Sequence, residues 1–299
     1  MAKFLNVAAI NGMVMERGEE KDGEELIQFN EAAEQLEGTG VDLVVTCETM
    51  MMSQKAGTGE DLNNPGPRLT AYSEFAKRNK CVVAGAVRLM IDGKPYQSIV
   101  YYGHHGEVLG LYHKTFPTPQ ALAKGTIPGT GGTVIDTPAG KLGGILCFDL
   151  NFDELRDDYI AMAPDILCFS SYYNGGIIKN NWAVRSRAFM VCALKDGCSE
   201  IIDPLGRTIN TSTYYKRIAQ ARINIDRFVM HGENAGKFAD IRRKYKNQVL
   251  IDEDSPSAFA VLYSCSDEIT ALDIAKEFEL QSIEDYLAEC RNFRAQSMI

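Results

Sequence analysis

A layered α+β domain, with β-sheets packed inside helices, is the architecture this sequence predicts. Two patterns point to it. Continuous apolar runs of strand length alternate with segments whose apolar residues recur at helical spacing. In the middle of the chain, paired strand-like runs are joined by tight turn signals, so hairpins and βα units share one unbroken pattern. No shift of composition marks a domain boundary, and no internal repeat is present.

In chain order, residues 3–10 read as a buried strand. Over 24–36, Leu26, Ile27, Phe29, Ala33 and Leu36 fall near one helical face, and Gly38 and Gly40 end that helix. VDLVVT (41–46) is a buried strand running into Cys47 and Glu48. Residues 69–77 are helical, and CVVAGAV (81–87) is a strand again. The DGK turn in RLMIDGKPYQSIVYY marks a hairpin. Strands follow at 107–112 and 133–136, with another turn at 138–140. Residues 143–148 are a buried strand leading into a helix at 152–162. A strand is expected at 165–169, a helix at 181–194, and strands at 200–203 and 218–225. From about Thr270 the chain is charged and helical, with Leu280, Ile283, Tyr286, Leu287 and Cys290 close to one face. This tail is expected to pack on a neighbouring subunit or on its own domain.

With 299 residues, 45% of them apolar and 24% charged, the chain has ample material for a core and is not a disordered one. Its formal charge is −9, from 40 acidic and 31 basic residues, which suits it poorly to phosphate backbones and argues against nucleic acid as a partner. The basic run Arg242, Arg243, Lys244, Lys246 reads as a solvated face. Eight cysteines are scattered, no two at CxxC spacing, so neither a zinc ribbon nor a thioredoxin-like pair is supported. The opening MAKFLNVAAING is too short an apolar run for a secretory signal, and no stretch approaches the length of a membrane span. A reducing cytoplasm with free thiols is the compartment expected.

Three reactive side chains stand at or just beyond the ends of apolar strands, where a scaffold can hold them while loops shape a pocket. Glu48 follows DLVVTC, Lys114 follows EVLGLYH, and Cys147 follows KLGGIL. Singly, each has a plain structural explanation: a buried cysteine, a charge at a helix start, a surface lysine. Together they suffice for acyl transfer from nitrogen to sulfur and then to water. A thiol of pKa about 8.5 needs a base at neutral pH. A carboxylate can take its proton and later deliver one to a leaving nitrogen. An ammonium can hold the oxyanion, with a backbone N–H beside the nucleophile.

These elements resemble the nitrilase superfamily of carbon–nitrogen hydrolases over roughly residues 3–265. The resemblance rests on DLVVTCE ending in Glu48, LGLYHKTFPT with Lys114, and GGILCFDLNFDE with Cys147, Asp149, Asn151 and Glu154. It extends to Trp182, Arg187 and Ala188 in NNWAVRSRAF, to Ser199, Ile201, Asp203, Pro204 and Gly206 in SEIIDPLG, and to DIRRKY. It implies a four-layer αββα sandwich at 1–265, with 266–299 as a helical extension serving self-packing or oligomer formation. It also implies a homodimer or larger homo-oligomer and metal-free hydrolysis of nonpeptide C–N bonds without a cofactor. By the same resemblance Cys147 is the nucleophile, Glu48 the base and then acid, and Lys114 with the N–H of Phe148 the oxyanion site. A small amide or N-carbamoyl compound is the substrate expected, since Phe148 follows the nucleophile where true nitrilases carry glycine. Candidate substrate contacts are Gln120, Tyr172, Tyr173 and Asn174.

The chain departs from the family in three places. Residues 115–146 contain no glutamate, so the family's second glutamate is missing, and Gln120 lies nearest its place. Thr46-Cys47 stands where Phe-Pro is usual, and the stretch between Arg187 and Ser199 is short. The alternative is therefore a nitrilase-like binding or regulatory subunit without hydrolytic activity. A Cys–His hydrolase has less support, because none of His104, His105, His113 and His231 lies in a partner motif.

Overall fold

The computed structural model describes residues 3–12, 23–51, 57–195 and 197–298. The chain forms two compact units, Asn6–Arg222 and a smaller one that joins Ile223–Ile299 to Met1–Leu5.

The larger unit begins with a sheet. Strands β1 (Phe4–Ile10), β2 (Leu43–Val45) and β3 (Val82–Ile91) run parallel, with α1 (Glu24–Leu36) and α2 (Pro67–Asn79) between them. Strands β4 (Lys94–Tyr102) and β5 (Val108–His113) add on antiparallel. The β3–β4 turn is Asp92-Gly93, with φ of 50° and 72°. Two successive positive φ values make the two-residue hairpin turn that matches strand twist, and Asp-Gly tolerates it. Helices α1 and α2 cover one face of the sheet: Phe29, Ala33, Leu36, Leu69, Tyr72 and Phe75 bury against Val44, Val83, Val87 and Leu89. The buried face of α1 differs from the expected one at Ile27, which is 59% exposed. Glu25, Phe29, Ala32, Ala33 and Leu36 are buried instead. Ile27 stands about 200° around the helix from both Glu25 and Phe29. Glu25 is drawn inward by an ion pair with Arg68.

The chain then builds a second sheet. After the short α3 (Pro119–Ala123) come β6 (Val134–Thr137), β7 (Gly140–Leu146), α4 (Asp153–Met162), β8 (Ile166–Ser171), α5 (Gly176–Ser186), β9 (Phe189–Leu194), β10 (Glu200–Ile202) and β11 (Thr208–Thr211). The sheet order is β11-β10-β9-β8-β7-β6, with β7, β8 and β9 parallel. Strand β12 (Ile218–Asn224) returns to the first sheet beside β1. The helix expected at 181–194 is a correction. It ends at Ser186, Arg187 turns left-handed at φ 54°, and FMVCAL is a strand buried between β8 and β10. Six consecutive apolar residues carry no periodicity that separates a buried strand from a buried helix.

The two sheets face each other closely at Gly144, where a Cβ would lie 2.7 Å from Tyr112. On the other side of the second sheet, Tyr159 of α4 donates to the Gly144 carbonyl and accepts from its N–H, at 2.5 and 3.0 Å. Trp182 of α5 donates to the Leu150 carbonyl at 2.9 Å. The layers are helix, sheet, sheet, helix, the αββα sandwich, and the C-terminal helices are present as well.

The smaller unit holds β13 (Arg227–His231), α6 (Ala235–Tyr245), β14 (Val249–Asp254), β15 (Phe259–Ser264), α7 (Ala271–Glu277) and α8 (Ile283–Ser297). Its antiparallel sheet runs β13-β15-β14, and Met230, Phe238, Ile241, Leu262, Ile274 and Leu280 share its core. The basic residues of α6 are solvated: Arg242, Arg243 and Lys244 are exposed and paired with Glu253, Asp240 and Glu277. Of the α8 face, Ile283 is buried, Tyr286 and Leu287 are half-buried, and Cys290 is exposed. Among the described residues no helix is long and apolar enough to cross a membrane.

Candidate active site

Strand ends in the larger unit converge on one place. Glu48 opens a 3-10 turn (Glu48–Met51) just past β2, and Lys114 follows β5 directly. Cys147 follows β7 and opens a second 3-10 turn (Cys147–Asn151), and Tyr172 follows β8. Lys114 Nζ donates to Glu48 Oε1 at 3.2 Å, and the backbone N–H of Tyr172 donates to Glu48 Oε2 at 2.9 Å. Glu48 and the same Tyr172 N–H both act on the Cys147 thiol, the carboxylate raising it and the N–H lowering it. Cys147 has φ 51°, a left-handed conformation costly for a residue with a Cβ and held here by its surroundings.

Glu48 and Lys114 are only 5% and 2% exposed, so their charges act in a medium far less screening than water. Burial pushes the Cys147 thiol up to about 12, the Glu48 carboxylate adds to the rise, and Lys114 opposes it. At rest the thiol keeps its proton. Burial pulls the Lys114 ammonium down, but Glu48, Cys147 and Asp149 outweigh it and leave the group raised and charged. Arg88, on the β3 face opposite Val87 and Leu89, is lowered by burial and pulled back up by Glu48. Gln97, its cross-strand partner, holds a buried Oε1 with no hydrogen-bond partner among the described residues.

Two residues whose roles the sequence does not reveal hold the turns in place. Asp149 is fully buried and accepts from Tyr112 Oη at 2.6 Å, Phe116 N at 2.8 Å and Leu146 N at 3.3 Å. It thereby ties the Cys147 turn to the segment after Lys114. Burial raises its carboxyl, with Lys114 and these donors opposing. Arg68 of α2 donates from Nε to the Met50 carbonyl at 2.9 Å and pairs with Glu25 and Glu60, which pins the turn that carries Glu48.

The remaining expected residues divide. Tyr172 belongs to the cluster through its backbone, and its hydroxyl accepts from Lys195 Nζ at 2.6 Å. Tyr173 accepts from Asn151 at 2.8 Å and packs near the ring of Phe148, which is 50% exposed. Asn174 supports the fold instead, since its carbonyl and Oδ1 both accept from the buried Lys179, at 2.7 and 2.8 Å. Gln120 is exposed on α3, and among the described residues no hydrogen bond joins it to Lys114. His113 faces Ser98 at 2.7 Å and lies over Tyr96, so it is engaged away from Cys147. Lys195 carries no signal as long as 189–194 reads as helix; as a strand, the segment places Lys195 at the same end as Tyr172.

The family model for carbon–nitrogen hydrolases matches residues 6–228. The chain is 24% identical over 188 residues to the chloroplastic omega-amidase of Arabidopsis thaliana, covering 53% of this chain and 50% of that protein. It is 25% identical over 159 residues to the deaminated glutathione amidase of Bos taurus, covering 44% and 48%. The chain thus spans about half the length of these curated relatives. Among solved structures, Saccharomyces cerevisiae Nit3, a member of branch 10 of the nitrilase superfamily, superposes with TM-score 0.63 at 17% identity, covering 81% of this chain and 94% of that one. An amidase from Nesterenkonia sp. AN1, with acrylamide added at its active-site cysteine, gives TM-score 0.61 at 15% identity, covering 73% and 93%. At these identities the structural likeness concerns the fold.

Proposed function

Because the chain belongs to the carbon–nitrogen hydrolase family, we propose that it hydrolyses a nonpeptide C–N bond in a small amide or N-carbamoyl compound through a thioester on Cys147. The observation that carries this reading is the buried cluster around Glu48: Lys114 at 3.2 Å on one oxygen, the Tyr172 N–H at 2.9 Å on the other, and the Cys147 thiol near enough for the carboxylate to raise it. As Sγ attacks the carbonyl carbon, Glu48 takes the thiol proton. The oxygen becomes an oxyanion held by the Lys114 ammonium and the N–H of Phe148. When the tetrahedral adduct collapses, the C–N bond breaks, and Glu48 gives its proton to the departing nitrogen. Water, deprotonated by Glu48, then attacks the thioester, and the acid leaves as the thiol regains its proton. The chemistry needs no metal or cofactor, because the side chains supply nucleophile, base and oxyanion charge. A homodimer or larger homo-oligomer and a cytoplasmic site of action belong to the same proposal.

One observation favours a second reading, a binding or regulatory subunit: no second glutamate touches Lys114 among the described residues, and Gln120 is exposed. A panel of small amides and N-carbamoyl compounds, assayed for ammonia release, separates the two. Turnover by the native protein that falls at least about a thousandfold in Cys147→Ala supports hydrolysis. Amide binding without ammonia release supports the subunit.

A further inference from the structure

The parallel register pairs Cys168 with Val191 and Ser170 with Ala193, so the next pair on that face of the second sheet is Tyr172 with Lys195. This is the face turned toward the first sheet, because Gly144, in register with Cys168, meets Tyr101 and Tyr112 there. The hydrogen bond from Lys195 N to the Ser171 carbonyl, 3.1 Å, carries the pairing past the strand ends. Lys195 is 3% exposed. Its Nζ lies 2.6 Å from Tyr172 Oη and 4.0 Å from the centroid of that ring.

An ammonium has three donors, and the phenol uses one. Among the described residues no carboxylate pairs with Lys195. The contrast with Lys179 is direct: that equally buried lysine is met by two oxygens of Asn174 and by Glu200 at 3.3 Å. A buried charge without a counter-charge is costly, and proteins keep one where a ligand completes it. Tyr172 joins the two places, since its N–H holds Glu48 and its hydroxyl holds Lys195.

We propose that Lys195 and the Tyr172 hydroxyl form a subsite for an anionic group of the substrate, one tyrosine side chain away from the reacting carbonyl. The proposal rests on the amide-hydrolase reading and narrows it to short amides that carry a distal carboxylate. The ammonium donates to one carboxylate oxygen, and the phenol, while accepting from Lys195, donates to the other.

The test compares kcat/KM for glutaramate and for pentanamide, which have the same length but differ in charge. The native chain should prefer glutaramate by about a hundredfold, the size of one charge-assisted hydrogen bond. Lys195→Met should collapse that ratio by a similar factor, through KM, and Lys195→Arg should restore most of it. A native chain without preference, or a Lys195→Met variant that loses both substrates in proportion, overturns the subsite while leaving hydrolysis intact. Calorimetry of glutarate with Cys147→Ala reads the subsite without turnover. Binding that weakens about a hundredfold on adding Lys195→Met supports it even if no amide is cleaved. Equal binding by the two variants overturns it.

Discussion

The thiol of Cys147 is the residue whose environment matters most for the chemistry. Burial and the neighbouring Glu48 carboxylate raise it to about 12, and Lys114 is the group that opposes them. Alkylation of the free protein by iodoacetamide proceeds through the thiolate, so its rate should climb with pH well beyond the midpoint of an ordinary thiol, about 8.5. Lys114→Met removes the opposing charge, raises the thiol further, and should slow labelling at about pH 9 by roughly tenfold. Glu48→Gln removes the charge that favours the protonated form and should quicken labelling while abolishing turnover. Peptide mapping of labelled Cys147 across alkaline pH checks both signs. Glu48, Lys114 and Cys147 are legible in the sequence because each follows an apolar strand, a context that marks strand ends without coordinates. Gln120 is placed only by its distance from Gly125, and Asn174 only by the loop after the strand at 165–169; neither signal speaks of orientation, and one residue is exposed while the other holds Lys179.

At the scale of elements, most boundaries follow from turn chemistry and apolar patterning, as at Asp92-Gly93 and at the glycines after α1. Two departures have physical causes. The run 189–194 is apolar at every position, so its period is unreadable. Apolar spacing alone places Ile27 on the inner face of α1, whereas Glu25 is buried and Ile27 is not, because Arg68 lies beneath the helix. That arginine joins α1, α2 and the Glu48 turn through its pairs with Glu25 and Glu60 and its bond to the Met50 carbonyl. Arg68→Met should leave two buried carboxylates without its charge, at a cost of about 3–5 kcal/mol. Arg68→Lys should cost less. Urea denaturation measures both, and a loss under about 1 kcal/mol for Arg68→Met would show that the cluster contributes little.

For the whole molecule, sheets packed inside helices are legible from the alternation of strands and helices, and the four-layer αββα form comes only with the family resemblance. The sheet of β13–β15 is not legible, since no turn signal or motif pairs its strands in the sequence, and α6 is marked only through DIRRKY. Helix α8 ends with Phe293 and Met298 at 61% and 71% exposure. Light scattering should give a mass at least twice the 33.1 kDa of one chain, and a monomer at micromolar concentration would remove self-association from the proposal. The influence of Glu48 on the Cys147 thiol has one more consequence. A sulfur that surrenders its proton only as a guest arrives is dormant in an empty pocket. Peroxides and stray electrophiles that arrive before a substrate meet the sulfur in its protonated, less reactive form.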